Sequence, residues 1–169
     1  AEEIRELIVT GSSDRWDPLT ELCLLYAARR DHWLKVIKPK LEQGIWVISD
    51  RFADSSIVYQ GYAGDIDIDT VLNIHNVVLG EVWPDLTIVL DLPPELGLER
   101  SYKRDTANNS KDTRFEKREL HFHNLLREGF QYLHSKSPDR ICVIDGTKTI
   151  KEVEIEVFSI IKKRFVELM

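Results

Sequence analysis

Three short runs of branched apolar residues, Ile45 to Ile48, Leu86 to Leu90 and Ile141 to Ile144, punctuate this chain, with helix-length stretches between them. Runs this short and this rich in branched side chains suit strands buried on both faces, as in parallel sheets. Their alternation with helices predicts an α/β layered fold. Apolar spacing predicts helices at Asp54 to Gln60, Asp69 to Leu79, Pro94 to Arg104, Phe115 to His134 and Ile150 to Leu168. Ahead of the first run, Ile4, Leu7 and Ile8 mark a helix over Ala1 to Val9, with a stop at Thr10-Gly11-Ser12-Ser13. Asp17 before Pro18 is an N-cap followed by a proline suited to the first helical position. From there Leu22, Leu25, Tyr26, Trp33 and Ile37 carry an apolar stripe to Pro39, where a kink or a new turn is expected, closed by Gly44. No internal repeat is evident.

Size and charge narrow the function. At 169 residues, 43% hydrophobic and 31% charged, the chain is expected to form one domain over residues 1–169. A formal charge of -6 offers no general attraction to nucleic acid or anionic membranes, so neither is expected as a partner. Cys23 falls in a helical pattern and Cys142 in a β-type run. Both read as buried small hydrophobes in a reducing, cytoplasmic setting. No stretch approaches the ~18 apolar residues of a membrane-spanning helix, and nothing resembles a cleavable signal.

The chemistry concentrates where the first apolar run ends, at Ser49-Asp50-Arg51-Phe52. In open α/β sheets, ligands sit beyond the carboxyl ends of the strands. An Asp-Arg pair there is by itself often only a surface ion pair contributing about 0–1 kcal/mol. Ser55, Ser56, Tyr59, Gln60 and Gly61 follow within two helical turns and add hydroxyls, a flat ring, an amide and a permissive backbone, which together read as a phosphate-bearing ligand site. A second polar stretch, Asp105 to Asp112, has no apolar anchor and reads as a loop. Arg100, Lys103 and Arg104 precede it, and Lys111 and Arg114 accompany it, a set of five cations suited to a lid over phosphates. His121 and His123 are two apart on a predicted helix, on different faces, and do not suggest zinc.

With these residues in view, the chain resembles the bacterial-type thymidylate kinases along its whole length. The likeness rests on Asp14-Arg15-Trp16, Leu25-Tyr26-Ala27-Ala28-Arg29, Asp50-Arg51-Phe52, Ser55-Ser56 with Tyr59-Gln60-Gly61, Pro84-Asp85-Leu86 and Leu90-Asp91. It continues through Arg114-Phe115-Glu116, Phe122, Arg127-Glu128-Gly129-Phe130 and Ile144-Asp145-Gly146. The resemblance implies a P-loop nucleoside monophosphate kinase-like three-layer fold, a parallel sheet flanked by helices with a lid at about 100–116, and transfer of a phosphoryl group from ATP to dTMP with Mg2+.

It further implies that Arg51 grips the acceptor monophosphate, with Asp50 either orienting it or standing near the magnesium. Arg29 would bond the thymine ring, with Arg30 as the alternative on a rotated helix. Ser55 and Ser56 would lie near the base, Tyr59 would crowd the sugar's second carbon against a ribose, and Gln60 would join the same site. Leu25 occupies the position where the family commonly stacks an aromatic on the base, and Tyr26 is the candidate replacement. Arg104 and Lys111 are the candidate catalytic lid cations, Arg100, Arg104 and Lys148 the candidate ATP-binding residues. Arg114 and Glu116 would brace the lid hinge, with Thr113 in place of the usual aspartate. A homodimer joined through helices of the first half is expected.

No Gly-x-x-x-x-Gly-Lys-Ser/Thr loop occurs in these residues. That loop, the first strand and an Arg-Glu-Pro-Gly-Gly segment are therefore expected upstream of Ala1, and the polypeptide without them is expected to be inactive. The competing readings are a related nucleoside or deoxynucleoside monophosphate kinase, or a non-catalytic nucleotide-binding dimer module.

Overall fold

The computed structural model describes residues 1–10, 15–108 and 120–165, with residues 104–108 described by their backbone alone. The expected helix stop at Gly11, the family match at Asp14, the lid residues Lys111, Thr113, Arg114 and Glu116, the helix start at Phe115 and the helix end at Leu168 lie outside the described residues.

Helix α1 (Glu2–Val9) packs on α2 (Pro18–His32). The Asp17 carboxylate accepts from the amides of Leu19 and Thr20, both at 3.1 Å, satisfying donors that a helix start leaves unpaired. Past His32 the helix widens into a π-helical stretch, Trp33–Ile37, and continues as α3 (Lys38–Glu42). Pro39 falls just past the junction of the two stretches, and the helical backbone continues through it without a break. Gly44 ends the run at φ +73°, its amide bonded to the Leu41 carbonyl at 2.9 Å.

Helix α4 (Ala53–Ser56) runs directly into a second π-helical stretch, Ile57–Tyr62, and α5 (Ile68–Leu79) follows with Asp67 as its N-cap. The core gathers Leu22 and Tyr26 from α2, Ile57 and Val58 from the π-helical stretch, Val71 and Leu79 from α5, and Phe122, Leu126 and Leu133 from α7 (Leu120–Lys136). At Gly129 of α7, an added Cβ would stand 2.9 Å from Val58 Cγ1 and 3.1 Å from the Tyr62 ring. Only glycine lets α7 approach the segment that carries Tyr59.

The sheet among the described residues has two parallel strands, β1 (Thr87–Asp91) and β2 (Ile141–Asp145), with Thr87 opposite Ile141 and Asp91 opposite Asp145. The expected strand at Ile45 to Ile48 does not form, and Ile48 is 94% exposed. Its pattern matches that of the other two runs. A strand needs a neighbour for its backbone donors and acceptors, and among the described residues none lies beside it. Helix α6 (Pro94–Asn108) carries helical backbone through residues read as a loop from Asp105 onward. Cys23 is exposed and Cys142 half-buried, where both were expected in the interior, because Cys23 lies on the outward face of α2. Helix α8 (Ile150–Arg164) opens with a reciprocal cap between Thr149 and Glu152 and buries none of its side chains fully.

Candidate active site

Backbone strain marks the first element. Arg51 has φ +70°, and among the described residues it is the one non-glycine in the left-handed region. Such a conformation costs about 1–3 kcal/mol and persists where its surroundings over-determine it. Here the Ser49 hydroxyl donates to the Arg51 carbonyl at 2.9 Å. The bend delivers an exposed Arg51 side chain whose Cζ lies 4.6 Å from the centre of the Tyr59 ring. Tyr59 is half-buried and meets Phe122 edge-on, the two rings 6.1 Å apart. Asp50 beside Arg51 is exposed.

Arg29 forms the second element. Its Nη2 donates to the Ser56 hydroxyl at 3.0 Å and the Phe52 carbonyl at 3.2 Å, while its Cζ lies 4.5 Å from the Tyr26 ring centre and 5.6 Å from that of Phe52. Nη1 is buried without a hydrogen-bond partner. Burial pulls the Arg29 pKa below the usual guanidinium range, and the neighbouring Tyr26 and Asp54 oppose that pull. Arg30 points elsewhere, bonding the Val78 carbonyl at the end of α5.

Three sequence-derived assignments meet a different placement. Tyr26 is fully enclosed beneath Arg29, with its ring 6.0 Å from that of His75 and its hydroxyl pKa raised by burial, so it supports the arginine instead of presenting a face to a base. Gln60 is buried, and its Nε2 donates to Glu21 at 3.0 Å, which ties it to α2 inside the core. Ser56 is 1% exposed and committed to Arg29, whereas Ser55 is half-buried.

The residues assigned to ATP lie on α6 and on the turn after β2. Arg100 Nη1 donates to the Gly146 carbonyl at 2.8 Å, bringing α6 against the turn after β2. Lys148, on that same turn, pairs with Glu156 of α8. Both strands end in aspartates that already have partners: Arg127 holds Asp91 through two bonds of 2.7 and 2.8 Å, and Asp145 accepts from the amide and hydroxyl of Thr147. The Arg127 contact keeps the Asp91 carboxyl below the usual carboxylate range. Arg104 is placed only by its backbone, on α6. Among the described residues no three His, Cys, Asp or Glu side chains form a group able to hold a metal.

Sequence reasoning gave no role to Phe52 beyond its motif and none to Asp54 and Arg140. Asp54, 3% exposed, takes two bonds from Arg140 at 2.7 and 2.8 Å and a third from the Thr87 hydroxyl at 2.8 Å. Phe52 gives Arg29 both a ring and a carbonyl, and its place directly after Arg51 was the available signal. Nothing in the sequence links residues 54 and 140.

Comparison with known proteins identifies the family. The family profile described as "Thymidylate kinase" matches residues 1–157. The chain is 44% identical over 164 residues to the thymidylate kinase of Caulobacter vibrioides, covering 97% of this chain and 76% of that protein. It is 48% identical over 160 residues to the thymidylate kinase of Dinoroseobacter shibae, covering 94% and 74%. The crystal structure of the Ehrlichia chaffeensis thymidylate kinase aligns with a TM-score of 0.70 at 31% identity, over 95% of this chain and 72% of that one. The α/β architecture is that of the P-loop nucleoside monophosphate kinases, and the chain belongs to the thymidylate kinase family.

Proposed function

We propose that the protein is an ATP:dTMP phosphotransferase in which Arg51 holds the acceptor monophosphate and Arg29 holds the base. The reaction is that of the family, transfer of a phosphoryl group from ATP to dTMP to give dTDP and ADP. The observation that carries the reading is the strained, braced backbone at Arg51, which presents an exposed guanidinium beside Tyr59. A guanidinium fork fits two phosphate oxygens and fixes the third for attack, and holding both reactants in line supplies about 7–11 kcal/mol of the barrier. The unpaired Nη1 of Arg29 suits a pyrimidine carbonyl, since a buried donor without a partner costs about 1–3 kcal/mol. Ser55 lines the base side, and Tyr59 closes the sugar side against a second hydroxyl.

Magnesium takes one or two carboxylates together with waters and substrate phosphates. The exposed, unencumbered donor set at Asp50 fits that sparse mode, whereas Asp91 and Asp145 are occupied by Arg127 and Thr147. When bound, the ion neutralises charge on the phosphate oxygens. Arg100 and Lys148 serve the ATP side, and Arg104 and Lys111 supply the lid cation nearest the transferred group.

Residues 1–169 act as one domain, supported by a core that runs from Leu22 to Ile141. The protein works as a two-fold dimer in the cytoplasm. Supporting the dimer are the exposed apolar side chains Leu7, Leu19, Leu34 and Leu41 along α1 to α3, and supporting the compartment are two free thiols. Among the described residues no helix is long and apolar enough to cross a membrane.

The test compares dTMP, thymidine and UMP as acceptors with ATP, using the full-length protein. Turnover of dTMP well above both others supports the reading. Equal turnover of thymidine removes the role of Arg51, and absence of transfer with dTMP binding intact identifies a non-catalytic module.

A further inference from the structure

A buried charge stands directly behind the acceptor residues. Asp54 sits between Phe52 and Ser56, the two residues that hold Arg29, on a helix of four residues. Its side chain is 5% exposed, and both carboxylate oxygens are occupied: Oδ1 by Arg140 Nη2, Oδ2 by Arg140 Nη1 and the Thr87 hydroxyl. Arg140 also bonds the Thr87 hydroxyl at 3.3 Å and lies 5.3 Å from the centre of the Trp83 ring. Thr87 opens β1, and Arg140 immediately precedes β2, its carbonyl accepting from the Thr87 amide at 2.8 Å. One helical turn is thus bolted on two sides, to the sheet through Asp54 and to α2 through Ser56. That turn opens the helical run that continues through the π-helical stretch Ile57–Tyr62, so its placement also sets that of the segment carrying Tyr59.

We propose that Asp54 is a positioning residue of the acceptor site: clamped by Arg140 and Thr87, it locks the turn carrying Ser55 and Ser56 to the sheet and so holds Arg29 in place for the pyrimidine. Asp54 also supplies the negative charge felt by the buried Arg29. Without it, two guanidinium groups would share the interior with no counter-charge. The inference rests on the assignment of Arg29 to the acceptor base.

The experiment measures KM for dTMP, KM for ATP, kcat and melting temperature in the full-length protein for Asp54→Asn, Arg140→Lys and the apolar double variant Asp54→Leu/Arg140→Met. A buried ion pair replaced by apolar residues of similar size often leaves stability unchanged, so the double variant separates positioning from folding. The expected result is KM for dTMP raised about tenfold in Asp54→Asn and in the double variant, with KM for ATP within about twofold of wild type. Arg140→Lys, the mildest change, gives about a threefold rise, because a lysine keeps the charge and loses the fork. The inference is overturned if KM for dTMP returns to the wild-type value in the double variant along with the melting temperature, or if both KM values rise together. Arg29→Ala serves as the control: if it leaves KM for dTMP unchanged, the acceptor assignment itself has failed, whatever the Asp54 variants do.

Discussion

The proposed acceptor side and the proposed ATP side of this molecule are held together by different contacts. Around Arg29 the polar contacts are buried or partly buried: Asp54 with Arg140, Gln60 with Glu21, Ser56 with Arg29. Around Arg100 and Lys148 they are surface pairs, such as Lys148 with Glu156 at 36% and 41% exposure and Lys103 with Glu99 at 73% and 57%. Buried networks fix geometry and fail sharply when one partner is removed, whereas exposed pairs contribute little and rearrange freely. With the roles proposed above, the acceptor would meet a preformed surface, and the ATP side would be free to adjust.

The largest expected effect is at Arg51. Arg51→Ala removes two charge-assisted hydrogen bonds worth ~1.5–3 kcal/mol each, so kcat/KM for dTMP should fall by about 10²- to 10⁴-fold, with KM for ATP little changed. Steady-state kinetics with each substrate varied in turn checks this. Next comes stability. Asp54→Ala strands Arg140 and should cost about 3–5 kcal/mol, while Lys148→Ala should cost no more than about 1 kcal/mol. Comparable losses in the two denaturation curves would erase the contrast between the regions.

A smaller change should appear at Arg100, whose bond to the Gly146 carbonyl is partly solvated. Arg100→Ala should raise KM for ATP about fivefold, the equivalent of one hydrogen bond at ~1 kcal/mol, and leave KM for dTMP alone.

The smallest effect concerns pH. His75 is fully buried against Trp83, and burial, then the positive charge of Arg29, hold its pKa below the usual 6.5, with Asp54 and Glu81 acting in the opposite sense. The unfolded chain takes up this proton at a higher pH than the folded one. Stability should therefore fall as the pH drops through 6.5 toward the lower folded value, by at most about 1.4 kcal/mol per pH unit. Across that window the wild type should lose stability relative to His75→Phe as the pH falls, which melting curves of the two proteins check.

Much of this was legible in the residues because it is local. Asp17-Pro18 announces α2, Gly44 announces the end of α3, and the runs at Leu86 and Ile141 announce two strands, since caps, turns and strand periodicity act over a few positions. Ile45 to Ile48 carries the same pattern without forming a strand, because strand formation depends on a neighbour that composition does not reveal. Arg29 and Arg51 were singled out through the motifs around them. The Asp54–Arg140 clamp was not, as no local rule pairs side chains 86 positions apart. Tyr26 lies in the core, as its place on the apolar stripe implied; the resemblance offered it as a stacking ring, and only packing shows that it is enclosed under Arg29.

Calorimetric titration of dTMP and of thymidine into the full-length protein and its Arg51→Ala variant tests the central claim most directly. Wild-type protein should bind dTMP at least about a hundredfold tighter than thymidine, the yield of two charge-assisted hydrogen bonds, and the variant should lose that difference. An unchanged preference for dTMP in Arg51→Ala would contradict the account.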